Sequence, residues 1–254
     1  MHIVLTNDDG IFAPGLAALY AQLKSIAQVT VIAPDRERSA TSHAITMHKP
    51  LRLEEVKLNE HGDIGWAVSG TPSDCIKLGL KVVVKETPDL IISGINDGPN
   101  LGTDVLYSGT VSAAIEGILH NIPSIAVSLA SFEKCSFAYA ARITEHIVQQ
   151  VMAKELFGHT LLNINIPSVP AEQLRGIKVT KLGIREYENI IEMRRDPRGR
   201  TYYWLGGDIV DRNLEQTDID ISAVKNGYVS ITPLHFDLTN HALLGKLETW
   251  QLTL

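Results

Sequence analysis

With 254 residues, of which 44% are hydrophobic and 20% charged, the chain can bury a sizeable core as one large domain or a domain with an appendage. A formal net charge of -6 argues against a stable nucleic-acid complex or an anionic-membrane binder, because either needs a basic face. Cys75 and Cys135 form no disulfide framework, and no apolar run approaches the roughly 20 residues of a membrane helix, so the expectation is a cytoplasmic protein with two plain buried thiols.

His2-Ile3-Val4-Leu5-Thr6 reads as a short buried strand cut off by Asn7-Asp8-Asp9-Gly10, the pattern of a parallel strand leaving a sheet. Two carboxylates then stand beyond a strand's carboxyl end, where open α/β sheets bind ligands. Side by side they imply either a nearby cation or full exposure to water in an Asx-type turn. Pro14-Gly15 open a helix with Leu16, Leu19, Tyr20 and Leu23 at helical spacing, and Val29 to Ala33 form the next strand. No Gly-x-Gly-x-x-Gly joins them, which removes the main support for a dinucleotide site.

A polar loop follows from Pro34 to His43, too long for a simple connection. Arg36, Arg38 and His43 there read equally as solvated surface or as parts of a site. Residues 45 to 68 suggest a small antiparallel excursion. Thr71 and Pro72 mark a helix start, with Cys75, Leu78 and Val82 on one side, and that helix end is a candidate anion site. Pro88 to Gly94 is the next buried strand, leading into a loop from Ile95 to Asp104 rich in Asn and Gly. Tyr107-Ser108-Gly109-Thr110 open a helix of small residues whose free amides and hydroxyls could cradle a phosphate or simply cap the helix.

Ile122 to Leu129, a helix from Ser136 to Met152, and Thr160 to Ile166 complete a three-layer α/β/α, Rossmann-like, mostly parallel domain over residues 1–167. Residues 168–254 read as a β-rich extension, with strands at 177–180, 201–205 and 228–232. The charged stretch Glu192 to Arg200 separates them, and Asp218-Ile219-Asp220 reads as solvated surface. Exposed strands with Tyr and Trp clusters need cover, and a second subunit is the economical cover.

Asp8, Asp9, Ser39 and Asn96 are hard oxygen donors from three strand ends that meet at one sheet edge. No Cys/His grouping has zinc spacing, so the metal expected is Mg²⁺ or Mn²⁺, with Ca²⁺ as another occupant. Such an ion can polarise a phosphoryl group and activate water.

Five blocks in order carry a resemblance: Ile3 to Ile11, Ala33 to Ser39, Gly70 to Cys75, Ser93 to Gly102 and Tyr107 to Val111. Together they resemble the SurE family, the survival-protein 5′/3′-nucleotidases. The resemblance implies a phosphomonoesterase of nucleoside monophosphates with one divalent ion per subunit held by Asp8, Asp9, Ser39 and Asn96. It puts catalysis on Asp8 and Asp9, and Asn7, Gly94, Ser108, Gly109 and Thr110 around the phosphate. It also implies a homodimer or homotetramer built through the C-terminal arm. Ser112 stands where the family commonly has Gly, a slight crowding of the helix. A haloacid-dehalogenase-type phosphatase would need a second acid where Gly10 stands, and a receiver module would need an aspartate where Ser93-Gly94 stand. A non-catalytic nucleotide sensor is the remaining alternative.

Overall fold

The structure is a computed structural model that describes residues 1–130, 136–154, 159–188 and 190–250. Cys135 lies outside them. β1 (His2–Thr6) is fully buried from Ile3 on, as a continuous apolar strand in a sheet centre must be. α1 (Pro14–Leu23) starts on its proline and buries Leu16, Leu19 and Leu23. β2 (Gln28–Pro34), β3 (Leu53–Lys57) and β4 (Ile64–Val68) follow.

α2 (Pro72–Val82) begins with a capping box: Asp74 N donates to Thr71 Oγ1 at 3.1 Å and Thr71 N to Asp74 Oδ2 at 2.9 Å. The Asp74 carboxylate also receives Thr46 N and its hydroxyl. The chain therefore supplies its own anion there, in place of the anion site the sequence offered. Cys75 is buried and free, whereas Val82, expected on the same side, is 62% exposed because the helix ends at it.

β5 (Leu90–Asp97), α3 (Gly109–Leu119), β6 (Ser124–Ala130), α4 (Phe137–Ala153) and β7 (Leu161–Pro167) complete the strand-helix alternation. Beyond them come β8 (Ile177–Val179), β9 (Ile184–Glu188), β10 (Ile191–Arg195), β11 (Thr201–Leu205), β12 (Asp208–Arg212), α5 (Asp220–Lys225), β13 (Val229–Leu234) and α6 (His241–Glu248).

The main sheet has nine strands in the order β3-β4-β2-β1-β5-β6-β7-β13-β8. It is parallel except where β3 meets β4 and β13 meets β7. Strand alternation divides the core. Ile3, Leu5, Val31 and Ile92 pack with Leu16 and Leu19 of α1 and Val148 of α4, while Val4, Ile32 and Ile91 pack with Cys75 and Ile76 of α2 and Ala113 of α3. The three layers expected from the sequence are present.

The structure redraws three expectations. The excursion at 45 to 68 is the edge of the main sheet, because Ile32 to Pro34 of β2 pair in parallel with Trp66 to Val68. The boundary expected at residue 167 falls inside that sheet, because β13 pairs with β7 through Ser230 to Leu234. The charged stretch after Ile191 contains a strand, β10, antiparallel to β11, since charged side chains sit comfortably on a ribbon exposed on both faces. β9 and β12 form a second two-stranded ribbon. Among the described residues no helix is long and apolar enough to cross a membrane.

Candidate active site

The ends of β2, β1 and β5 are adjacent in the sheet, so their loops converge. Asp8, Asp9, Ser39, Asn96 and Ser108 line one cavity of about 530 Å³, together with Glu37, Asp97, Asn100, Asp104, Tyr107 and Tyr187.

The acidic turn is locked from several sides. Asn7 Nδ2 donates to Gly10 O at 2.9 Å, and Gly10 N donates back to Asn7 Oδ1 at 3.1 Å. Gly10 has φ +104°, and a Cβ there would come within 3.1 Å of the Arg36 carbonyl carbon, so glycine is required. Arg38 N donates to Asp8 O at 2.7 Å and Ile11 N to Pro34 O at 2.8 Å, which laces the first two loops together.

The Ser39 hydroxyl donates to Glu37 Oε1 at 2.8 Å. Its loop is pinned further along by Ser42 N on Tyr107 O at 3.0 Å and by His43 Nε2 at 3.0 Å from Glu116 Oε2. Lys77 Nζ lies 2.6 Å from the other oxygen of that buried carboxylate. Against the upward push of burial, the hydrogen bonds from His43 and Lys77 hold Glu116 below the usual range. Arg38 reaches Asp35 and Ser69 O, while Arg36 stays in solvent.

Asn96 Nδ2 donates to Gly98 O at 2.9 Å, which leaves its side-chain oxygen as an acceptor. Asp97 N donates to Asp9 Oδ2 at 3.3 Å. Behind this loop Asn100 joins a buried network: its N–H donates to Asn165 Oδ1 at 2.8 Å and its Nδ2 to Ser128 Oγ at 2.7 Å. Asn163 and Asn165 both donate to Asn100 O.

α3 brings its N-terminal end against Asp8. Ser108 caps it by accepting Val111 N at 3.0 Å, and the Ser112 hydroxyl donates back to Ser108 O at 2.6 Å, so a serine there fits within the helix. Thr110 Oγ1 donates to Asp8 Oδ1 at 2.5 Å. A Cβ on Gly109 would lie 2.8 Å from Asp8 Cβ and 2.9 Å from Asp8 Oδ2, so only glycine permits this approach.

The expected phosphate-site residues thus separate. Ser108 lines the cavity, Gly109 and Thr110 border Asp8, and Asn7 and Gly94 shape the backbone behind it. Gly94 has φ +138°, with Val127 O only 2.3 Å from where a Cβ would stand.

Burial raises the pKa of Asp8, which is 4% exposed, against the opposing hydrogen bond from Thr110. Burial and then the neighbouring Asp8 push Asp9 up to about 7. Glu37, Asp97 and Asp104 add acid to the lining, and among the described residues no Lys, Arg or His side chain belongs to it. An acidic cluster with no cation of its own, next to neutral oxygens of Ser39 and Asn96, is a donor set suited to a hard divalent ion. Among the described residues no three His, Cys, Asp or Glu side chains form a ligand group, so such an ion would depend on those neutral oxygens.

Asp104 and Tyr187 were not legible as site residues. Arg185 Nη1 lies 3.1 Å from Asp104 Oδ2 and its Nε 2.7 Å from Asp211 Oδ1, and Tyr187 donates to Asp104 Oδ1 at 2.8 Å. Arg185 and Tyr187 lie some eighty residues from Asp104 in the chain, so no local motif announces their meeting. Glu37, Asp97 and Asn100 lie within the expected loops and Tyr107 at the expected helix opening, where acid, amide and aromatic side chains were the signal available. Asp220 corrects another expectation. It is fully buried and its carboxylate accepts N–H from Gly102 and Gly183, each at 2.8 Å, tying the loop beside the cavity to the base of β9.

Residues 3–189 match the family model described as Survival protein SurE. The chain is 51% identical over 250 residues to a protein of Heliobacterium modesticaldum named 5'-nucleotidase SurE, covering 98% of this chain and 92% of that one. It is 54% identical over 248 residues to the protein of that name from Pelotomaculum thermopropionicum, covering 98% and 94%. A crystal structure of Sure protein from Aquifex aeolicus superposes with a TM-score of 0.84 at 41% identity, covering 98% and 99% of the two chains. Fold, motif order and near full-length identity agree, and the chain belongs to the SurE family.

Proposed function

We propose that the chain is a nucleotidase, a phosphomonoesterase that converts nucleoside 5′-monophosphates, and 3′-monophosphates as well, to nucleoside and phosphate. The observation that carries this is the pairing of Asp8 and Asp9 with the N-terminal end of α3 in one acidic cavity that, among the described residues, has no cationic side chain. Relatives about half identical over nearly the whole chain are named 5'-nucleotidase.

Asp8, Asp9, Ser39 and Asn96 would hold one Mg²⁺ or Mn²⁺ per subunit, with Ca²⁺ as an alternative occupant. The ion, when bound, supplies the positive charge that the phosphate oxygens and an attacking water require. Thr110 fixes the Asp8 carboxylate from one side, so Asp8 orients the nucleophile instead of rotating freely. Ser108 and the α3 end offer hydroxyl and dipole to the phosphate. Water adds to phosphorus, the P–O ester bond breaks, and the nucleoside leaves as the alcohol after taking a proton.

A phosphate-release panel of nucleoside 5′- and 3′-monophosphates tests this. Release should stop with EDTA and return with Mg²⁺ or Mn²⁺. Asp8→Asn and Asp9→Asn should each lower kcat on the order of a thousandfold or more with folding retained. Binding without phosphate release in the metal-loaded wild type would instead identify a sensor. We also assign residues 168–254 a role in assembling a homodimer or homotetramer, with the exposed apolar side chains of the β10–β11 ribbon as its main contact.

A further inference from the structure

Granting the nucleotidase reading, on which this rests, we propose that Tyr107 and Tyr187 form the face of the cavity that recognises the nucleoside, by stacking on its base. On that reading the phosphate would lie at Ser108 and at the ion held by Asp8, Asp9, Ser39 and Asn96, with Glu37 and Ala40 beside them, which leaves Asp97 to Asn100, Asp104 and the two tyrosines for the nucleoside. Among the described residues no Lys, Arg or His belongs to that lining, and the Asp97 carboxylate disfavours a further phosphate there. Affinity for the rest of the substrate therefore has to come from uncharged surface, and the large uncharged surfaces here are the two rings.

Both rings are presented to solvent, Tyr107 on a fixed backbone and Tyr187 by a tethered side chain. Tyr107, 64% exposed, immediately precedes the Ser108 cap, and its backbone is fixed through Ser42 N on its carbonyl and its own N–H on Asp104 O. Tyr187, 38% exposed, is tethered by its hydroxyl to Asp104. Asp104 is held in turn by Arg185, which is anchored to Asp211 and whose carbonyl accepts the Thr103 hydroxyl. Burial and then the Asp104 hydrogen bond push Tyr187 up to about 12, so the tether persists across the working pH range. A ring ordered before binding, as that of Tyr187 is, loses little freedom when a base arrives. Tyr187 belongs to β9, so the C-terminal extension would complete a site whose reacting end lies in the first hundred and ten residues.

The test compares adenosine 5′-monophosphate with glycerol 1-phosphate, an ester that carries no ring. In Tyr107→Ala and Tyr187→Ala the ratio of kcat/KM for the nucleotide to that for the small ester should fall on the order of tenfold, mainly through KM for the nucleotide. Tyr107→Phe should keep the ratio within about twofold, since stacking needs the ring and not the hydroxyl, whereas Tyr187→Phe, which keeps the ring and loses its tether to Asp104, should fall between the wild type and Tyr187→Ala. Melting curves accompany each variant, and Tyr107→Ala carries the test should loss of Tyr187 unseat β9. An unchanged ratio in the alanine variants, or an equal fall in the phenylalanine variants, overturns the assignment of the rings. A wild type that cleaves the small ester and not the nucleotide overturns the nucleotidase reading itself.

Discussion

Asp8 and Asp9 are neighbours with different surroundings. Thr110 holds Asp8, whereas Asp9 receives Asp97 N at 3.3 Å and is pushed up to about 7 by burial and then by Asp8. A folded carboxyl with a raised pKa binds its proton more tightly than the unfolded chain does, so without metal its contribution to stability is present at acid pH and is lost as pH rises from about 4 through about 7. A divalent ion must displace that proton, and binding should strengthen over the same window. Melting curves with millimolar Mn²⁺ against EDTA should show a stabilisation that grows from pH 5 to pH 8. A gain that is flat, or largest at pH 5, would contradict this account. The acidic pair was legible because adjacent carboxylates after an apolar strand have few uses. Asp220 was not, because its value lies in the amides of Gly102 and Gly183, distant in sequence and invisible to local pattern.

At the scale of elements, the helix starts were the most readable features. Pro14 opens α1, and Thr71 with Asp74 opens α2 as a capping box, because caps are written in adjacent residues. What pattern could not show is how closely α1 lies on the sheet. A Cβ on Gly15 would stand 2.0 Å from Ile95 O and 3.1 Å from the Phe137 ring. Gly15→Ala should thus force α1 away from the end of β5 and destabilise the protein by about 1–3 kcal/mol, despite alanine's better helix propensity. Urea denaturation checks this, and a stabilised variant would show that α1 can shift freely. The placement of β4 was missed for a related reason. Its apolar run fits an antiparallel hairpin and a parallel sheet edge equally well, and it makes both pairings.

At the scale of the molecule, the alternation of apolar runs and helical stretches gave the three layers, while the partition of the C-terminal third was not readable. Short alternating strands look alike whether they complete a sheet or stand away from it. β8 and β13 complete it, and β9 to β12 form two ribbons. The β10–β11 ribbon leaves Ile191, Met193, Tyr203, Trp204 and Leu205 exposed, Leu205 by 80%. Light scattering at micromolar concentration should give a mass at least twice 27.9 kDa, and replacing Trp204 and Leu205 with serine should reduce it. A wild-type monomer would defeat the assembly proposal.

The late entry of β13 between β7 and β8 also bears on biosynthesis. A ribosome must deliver residues 229 to 234 before Leu161 to Asn165 find their antiparallel partner. Until then a nascent chain carries an open, adhesive flank beside its finished catalytic half. Premature stops anywhere upstream should therefore yield sticky, chaperone-bound fragments instead of working miniatures.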